Sequence, residues 1–235
     1  MKKLGIVGGI GPESTIAYYR LIVDRYRQLT SHQYPPLIIN SIDLDRMLGL
    51  VAENDLGALT EYLATEVRAL AKAGATTGLL AANTPDIVFD AVLERSPIPL
   101  LSIVHATCDA TRALHLRRVG IFGTRFTMEG RFYPDVFSRA GIDLVTPLDD
   151  ERAYIHEKYM GELVRGVFLP ATRNRLLEIV GALRDRDAID GVLLAGTELP
   201  LVLSDEIAGI PLLDTTKIHV DSAVRELWGK RGDCP

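Results

Sequence analysis

Short apolar runs recur along the chain: LGIVGG at 4–9, PLIINSI at 36–42, GLLAAN at 78–83, IPLLSI at 98–103, RVGIFGT at 118–124, IDLVTP at 142–147, GVLLAG at 191–196 and IPLLDT at 210–215. Several are apolar almost throughout, which suits strands of a parallel sheet covered on both faces. Between them the period lengthens to that of a helix. LTEYLATEVRALAKAGA sets Leu59, Leu63, Val67 and Leu70 on one face with charges opposite, and TRNRLLEIVGALRDRD does the same with Leu176, Leu177, Val180 and Leu183. Strands alternating with amphipathic helices predict right-handed βαβ units, hence an α/β fold with parallel sheets.

The pattern also repeats. LGIVGGIGPEST is similar to VGIFGTRFTMEG, with Gly5 matched to Gly120, an offset of 115. GLLAANTP is similar to GVLLAGTE at an offset of 113, and IPLLSI to IPLLDT at an offset of 112. Three matches in one order and at nearly one spacing predict a duplicated lobe. The expected boundaries are 1–104 plus 217–235 for the first lobe and 105–216 for the second, with the last helix returning to the first lobe. Ligands of open α/β sheets bind beyond the carboxyl ends of the strands. The expectation is therefore two lobes related by pseudo-twofold symmetry, with the site in the cleft between their matched strand ends.

Composition changes the picture only by exclusion. A net charge of −5 over 235 residues gives no reason to expect nucleic acid or an anionic membrane as partner. Two cysteines, Cys108 and Cys234, do not make a disulfide framework. The apolar run after Met1, Lys2 and Lys3 is too short for a secretory signal, and no stretch nears the roughly 20 apolar residues of a membrane span, so the expected location is the cytoplasm. The five histidines and two cysteines show no metal-ligand spacing.

GIVGGIGPEST lies between a strand and a helix, where a dinucleotide fingerprint would sit. The third glycine of that fingerprint is absent, and Glu13 would repel a pyrophosphate. Gly9 and Gly11 can instead present backbone N–H groups to a carboxylate at a helix N-terminus, with Pro12 in the first helical turn.

Taken together, GIVGGIGPEST, ANTPDIVFD, FGTRFTMEGRFY, GTELPLVL and DTTKIH resemble the aspartate/glutamate racemase family, amino-acid racemases that work without pyridoxal phosphate. The resemblance spans nearly the whole chain. It implies two α/β lobes, an isomerase acting on a small amino acid or carboxylate, no cofactor and a homodimer. It also implies two thiols, one to take the Cα proton and one to return it on the opposite face. The residues at those positions are Ala82, directly before Asn83, and Gly196, directly before Thr197. The resemblance further implies that Asn83, Thr84, Thr127 and Thr197 hold the α-carboxylate and amino group, and that Arg46 grips a side-chain carboxylate, bidentately where it can. A lysine that some members use would fall near Val164, and Lys158 or Arg165 could replace it.

With both thiols missing, the acid–base groups must be others. Glu198 follows Thr197, and Asp86 follows the Asn-Thr-Pro segment where a helix dipole favours a carboxylate. The pair comes from the matched segments, but carboxylates need a raised pKa to serve as bases for a Cα proton. His105, His156 and His219 are further candidates, and Cys108 reads as inert packing. Three readings stay open: a racemase or related isomerase with non-thiol groups, a decarboxylase or lyase on the same scaffold, and a non-catalytic binder of small carboxylates.

Overall fold

A computed structural model describes residues 2–203 and 209–229. The chain forms two compact units, Met1–Ile103 with His219–Pro235, and Val104–Ile218.

The first unit runs β1 (Leu4–Gly8), α1 (Pro12–Leu29), β2 (Leu37–Ser41), α2 (Leu44–Ala52), α3 (Leu56–Lys72), β3 (Thr77–Leu80), a 3-10 turn (Thr84–Val88), α4 (Phe89–Glu94) and β4 (Leu100–Leu101). Its four strands are parallel in the order β2-β1-β3-β4. The unbroken apolar runs become strands buried on both faces. Leu4 and Ile6 join Leu79 in one cluster, with Tyr18 and Ile22 of α1. Val7 and Leu80 point the other way, into Leu59, Leu63, Val67 and Leu70 of α3. The face alternates with residue parity, as the pleat requires. Each such aliphatic contributes roughly 1.5–3 kcal/mol of transfer free energy when fully buried. Gly5 lets α3 approach, because a Cβ there would lie 2.9 Å from the Ala75 Cβ and 3.1 Å from Leu70.

The second unit runs α5 (Ile103–Ala113), β5 (Arg118–Gly123), α6 (Arg125–Glu129), α7 (Phe132–Arg139), β6 (Asp143–Val145), α8 (Asp149–Gly161), a short 3-10 turn (Leu163–Arg165), α9 (Pro170–Asp187), β7 (Gly191–Ala195), α10 (Leu199–Val202), β8 (Leu212–Asp214) and α11 (Thr215–Trp228). The unit boundaries fall at the start of α5 and inside α11. Its strands are again parallel, in the order β6-β5-β7-β8. Phe122, Val192 and Leu194 pack with Ile155 and Tyr159 of α8 and with Leu176, Ile179, Val180 and Leu183 of α9. Leu177, expected on that apolar face, is only partly buried beside them, and Ile179 takes the buried place.

The two sheets repeat one topology. In both, the first strand of the unit pairs with the second and third, and the third pairs with the fourth. Gly5 faces Gly78 across β1 and β3, while Val119, one residue before Gly120, faces Gly191 across β5 and β7. The repeat therefore holds in space to within one residue. Beyond Ile218, the α11 residues Val220, Ala223, Val224 and Leu227 belong to the cluster under β1 and α1. Among the described residues no helix is long and apolar enough to cross a membrane.

Candidate functional site

In the first unit, β1 ends in a turn that only glycine fits. Gly9 has φ +80°, and a Cβ there would lie 2.5 Å from the Ile42 carbonyl oxygen. Gly11, at φ +83°, is the residue before α1, and Pro12 opens that helix. The Gly9 N–H donates to Thr15 Oγ1 at 2.8 Å, so this amide serves the turn itself. Ser14, buried in the first turn of α1, donates to the Ala81 carbonyl at 2.7 Å and ties the turn to the end of β3.

The chain leaves β3 through Ala81, Ala82 and Asn83. Asn83 is buried and Thr84 half-buried at the start of the 3-10 turn. Asp86 sits within this turn and is itself buried, with Oδ2 accepting the Ser102 hydroxyl at 2.7 Å. Asp86 therefore belongs to a tight turn supported by a buried serine rather than to the opening of a long helix. Ser102 follows directly on β4, so two strand ends of one sheet contribute: β3 gives Ser14's acceptor and Asp86, and β4 gives Asp86's partner.

Arg46 lies in the first turn of α2. Its backbone N–H is capped by the Asp43 carboxylate at 3.1 Å. Its guanidinium is exposed and stacks on the Tyr62 ring at 4.2 Å from the centroid, a cation–π arrangement. Among the described residues it has no carboxylate within ion-pair distance, which leaves its fork available to a ligand.

In the second unit, β5 ends at Gly123, and Thr124 caps α6. Thr127 is buried, with its N–H and its hydroxyl both turned to the Thr124 hydroxyl, at 3.4 and 3.1 Å. Beyond β7, Gly196 is followed by half-buried Thr197 and buried Glu198. Glu198 Oε2 accepts two hydroxyls, from Thr197 at 2.8 Å and from Tyr159 of α8. A Cβ at position 196 would lie 2.6 Å from both Cε2 and the hydroxyl oxygen of Tyr159 and 2.8 Å from its Cζ. The glycine is thus required by the tyrosine ring. Burial, then the adjacent Glu198 carboxylate, hold the Tyr159 phenol well above the ordinary phenol range, while Thr197 acts on it in the opposite sense.

Other candidates are placed elsewhere. Cys108 is buried on α5, and burial pushes its thiol up, away from the reactive thiolate. Cys234 lies outside the described residues. His105 is exposed on α5. His156 accepts the Arg125 N–H at 3.1 Å through Nδ1, and burial lowers its pKa. His219 is wholly buried between Tyr18 and the Leu101 carbonyl, a structural position. Lys158 is paired with Glu162 at 2.8 Å, so its charge already has a partner. Among the described residues no group of three histidine, cysteine or acidic side chains could hold a metal ion. Tyr159, Ser102 and Ser14 escape sequence reasoning, because each acts through a partner far along the chain.

Two four-stranded parallel sheets of one topology with flanking helices give the two-lobed α/β fold that a solved glutamate racemase structure also has. The family model for Asp/Glu/hydantoin racemase matches residues 7–223, and the chain belongs to that family. It is similar over 97% of its length to a candidate Asp/Glu racemase from Yersinia pestis, at 30% identity and TM-score 0.90, covering 100% of that chain. An aspartate racemase homologue from Pyrococcus horikoshii OT3 is also 30% identical, with TM-score 0.87, over 97% of this chain and 100% of that one. The Picrophilus torridus aspartate racemase shares the fold at 20% identity and TM-score 0.74, over 98% and 96% of the two chains.

Proposed function

We propose that the protein is an amino-acid isomerase of the racemase type, moving a proton at Cα of a small amino acid or carboxylate without a cysteine pair. Asp86 and Glu198 are its acid–base groups, and Asn83, Thr84, Thr127 and Thr197, with the Gly11 end of the turn before α1, hold the α-carboxylate and amino group. The observation that carries this is the buried Glu198 carboxylate beyond β7, met by two hydroxyls, with the buried Asp86–Ser102 pair at the corresponding end of β3. Each carboxylate is held in one orientation at its strand end by its hydroxyl partners. A Cα–H is very weakly acidic, so the developing carbanion needs donors around its carboxylate, which Asn83, Thr84 and Thr127 supply. The reading includes a homodimer in the cytoplasm that needs no cofactor; sedimentation of the purified protein checks its assembly.

Incubation in D₂O with both enantiomers of a panel of amino acids tests the reading. Deuterium at Cα together with loss of optical rotation is the expected result. Release of CO₂ or ammonia would replace it with a decarboxylase or lyase, and thermal stabilisation by a carboxylate without exchange would replace it with a binder. Arg46→Gln is expected to weaken a dicarboxylate substrate by about 10-fold or more in KM, the worth of a lost charge-assisted hydrogen bond, with a much smaller effect on a monocarboxylate.

A further inference from the structure

The Cα proton needs a carrier that can both take and give. We propose that the Tyr159 hydroxyl is that carrier at the end of β7, relaying the proton to and from Glu198, with Gly196 as the gap that admits the ring. The proposal rests on the isomerase reading and adds a residue to it.

Tyr159 is brought to the strand end by α8 and is buried there. Its oxygen and ring edge fill the volume that a side chain at 196 would need. Its hydroxyl donates to Glu198 Oε2, and Thr197 Oγ1 donates to the same carboxylate oxygen at 2.8 Å. Oε2 is thereby fixed by two donors. A carboxylate alone is a weak base toward Cα–H. A phenol linked to it extends its reach by one ring substituent and lets two short transfers replace one.

The step balances without any co-reactant. In the forward direction the Cα proton moves to Tyr159 Oη while the phenol's own proton passes to Glu198 Oε2. The C–H electron pair stays on the substrate, delocalised into its carboxylate. In the reverse direction Glu198 returns its proton to Oη as Oη delivers one to Cα. A free phenolate is never formed, which agrees with the burial and the neighbouring negative charge that keep this hydroxyl protonated.

The test uses the full chain in D₂O. Tyr159→Phe keeps the ring and removes the oxygen. Cα exchange is expected to fall by at least ~100-fold, the lower end for loss of a general acid–base group, with the melting temperature little changed. Incorporation of 3-fluorotyrosine at 159 makes the phenol more acidic with almost no change of shape. It is expected to move the alkaline limb of the pH–rate profile to lower pH, which a packing role would leave in place. It also keeps the proposal testable should Tyr159→Phe not fold. Exchange in Tyr159→Phe within about threefold of the unaltered protein, or an unmoved pH profile, overturns the relay alone. No Cα exchange by the unaltered protein with any amino acid overturns the relay and the isomerase reading together.

Discussion

Between pH 6.5 and 4 the folded protein is expected to lose about 3 kcal/mol of stability through one side chain, His219. The ring is wholly buried. Nε2 lies 3.0 Å from the Leu101 carbonyl, which can only accept, so Nε2 carries the proton. Nδ1 then accepts the Tyr18 hydroxyl at 2.9 Å. Both ring nitrogens are satisfied in the neutral form. A second proton would turn Nδ1 from acceptor to donor, so that the Tyr18 hydroxyl would have to give up its donation to the ring, and would place a charge beside the apolar cluster of Ile22, Val220 and Val224. Burial therefore pushes the pKa down to about 4, with the Leu101 carbonyl opposing it in part.

The sign follows from proton binding. Below pH 6.5 the unfolded chain takes up a proton on this histidine and the folded chain does not, so unfolding becomes easier as pH falls. The contribution is fully present above that value and exhausted near pH 4, where the folded ring protonates too. Denaturant unfolding at a series of pH values checks it, with His219→Gln as the non-titrating control. The stability difference between the two proteins is expected to shrink steadily over this window. A constant difference would mean that His219 is not held neutral by its surroundings.

The same residue shows where sequence reasoning reaches and where it stops. DTTKIH marks His219 as part of a patterned segment, but the pattern cannot say that its two partners are Tyr18 and Leu101, 201 and 118 residues earlier. Strands were legible because burial on both faces writes itself as an unbroken apolar run, and all eight runs overlap a strand. Even β4, only Leu100 and Leu101, falls inside IPLLSI. Leu59, Leu63, Val67 and Leu70 were legible because one helix face meets one sheet face. Asp86 and Glu198 were legible as carboxylates beyond apolar runs, while their burial and their hydroxyl partners were not. Tyr159 is the plainest case. Asp149–Gly161 carries three acidic residues in its first turn and little apolar periodicity, so nothing local separates a buried Tyr159 from the half-exposed Tyr154. Its role comes from Glu198, 39 residues on, and from the missing side chain at 196.

That missing side chain gives the last prediction. Gly196→Ala is expected to destabilise the protein by about 1–3 kcal/mol, the usual cost of forcing atoms into a filled core, and to lower the melting temperature by about 2–10 °C for a chain of this size. The cause is local. Position 196 has no left-handed backbone to strain, and the nearest atoms to a new Cβ are all from the Tyr159 ring and hydroxyl. Tyr159 cannot simply swing away, because α8 packs it among Phe122, Leu194 and Leu199 and its hydroxyl is held by Glu198. Ala82 differs: it already carries a Cβ and is only partly buried against the α3 cluster. Ala82→Cys adds one sulfur to an occupied direction, whereas Gly196→Cys must first displace a ring. A double-mutant cycle separates collision from any backbone effect. In a Tyr159→Ala background, Gly196→Ala should cost little, giving a coupling of about 1–3 kcal/mol between the two sites. Equal costs in both backgrounds would show that the tyrosine does not set the need for glycine. Introducing a thiol at 196 by Gly196→Cys thus requires removing Tyr159 in the same protein, because the two side chains claim one volume.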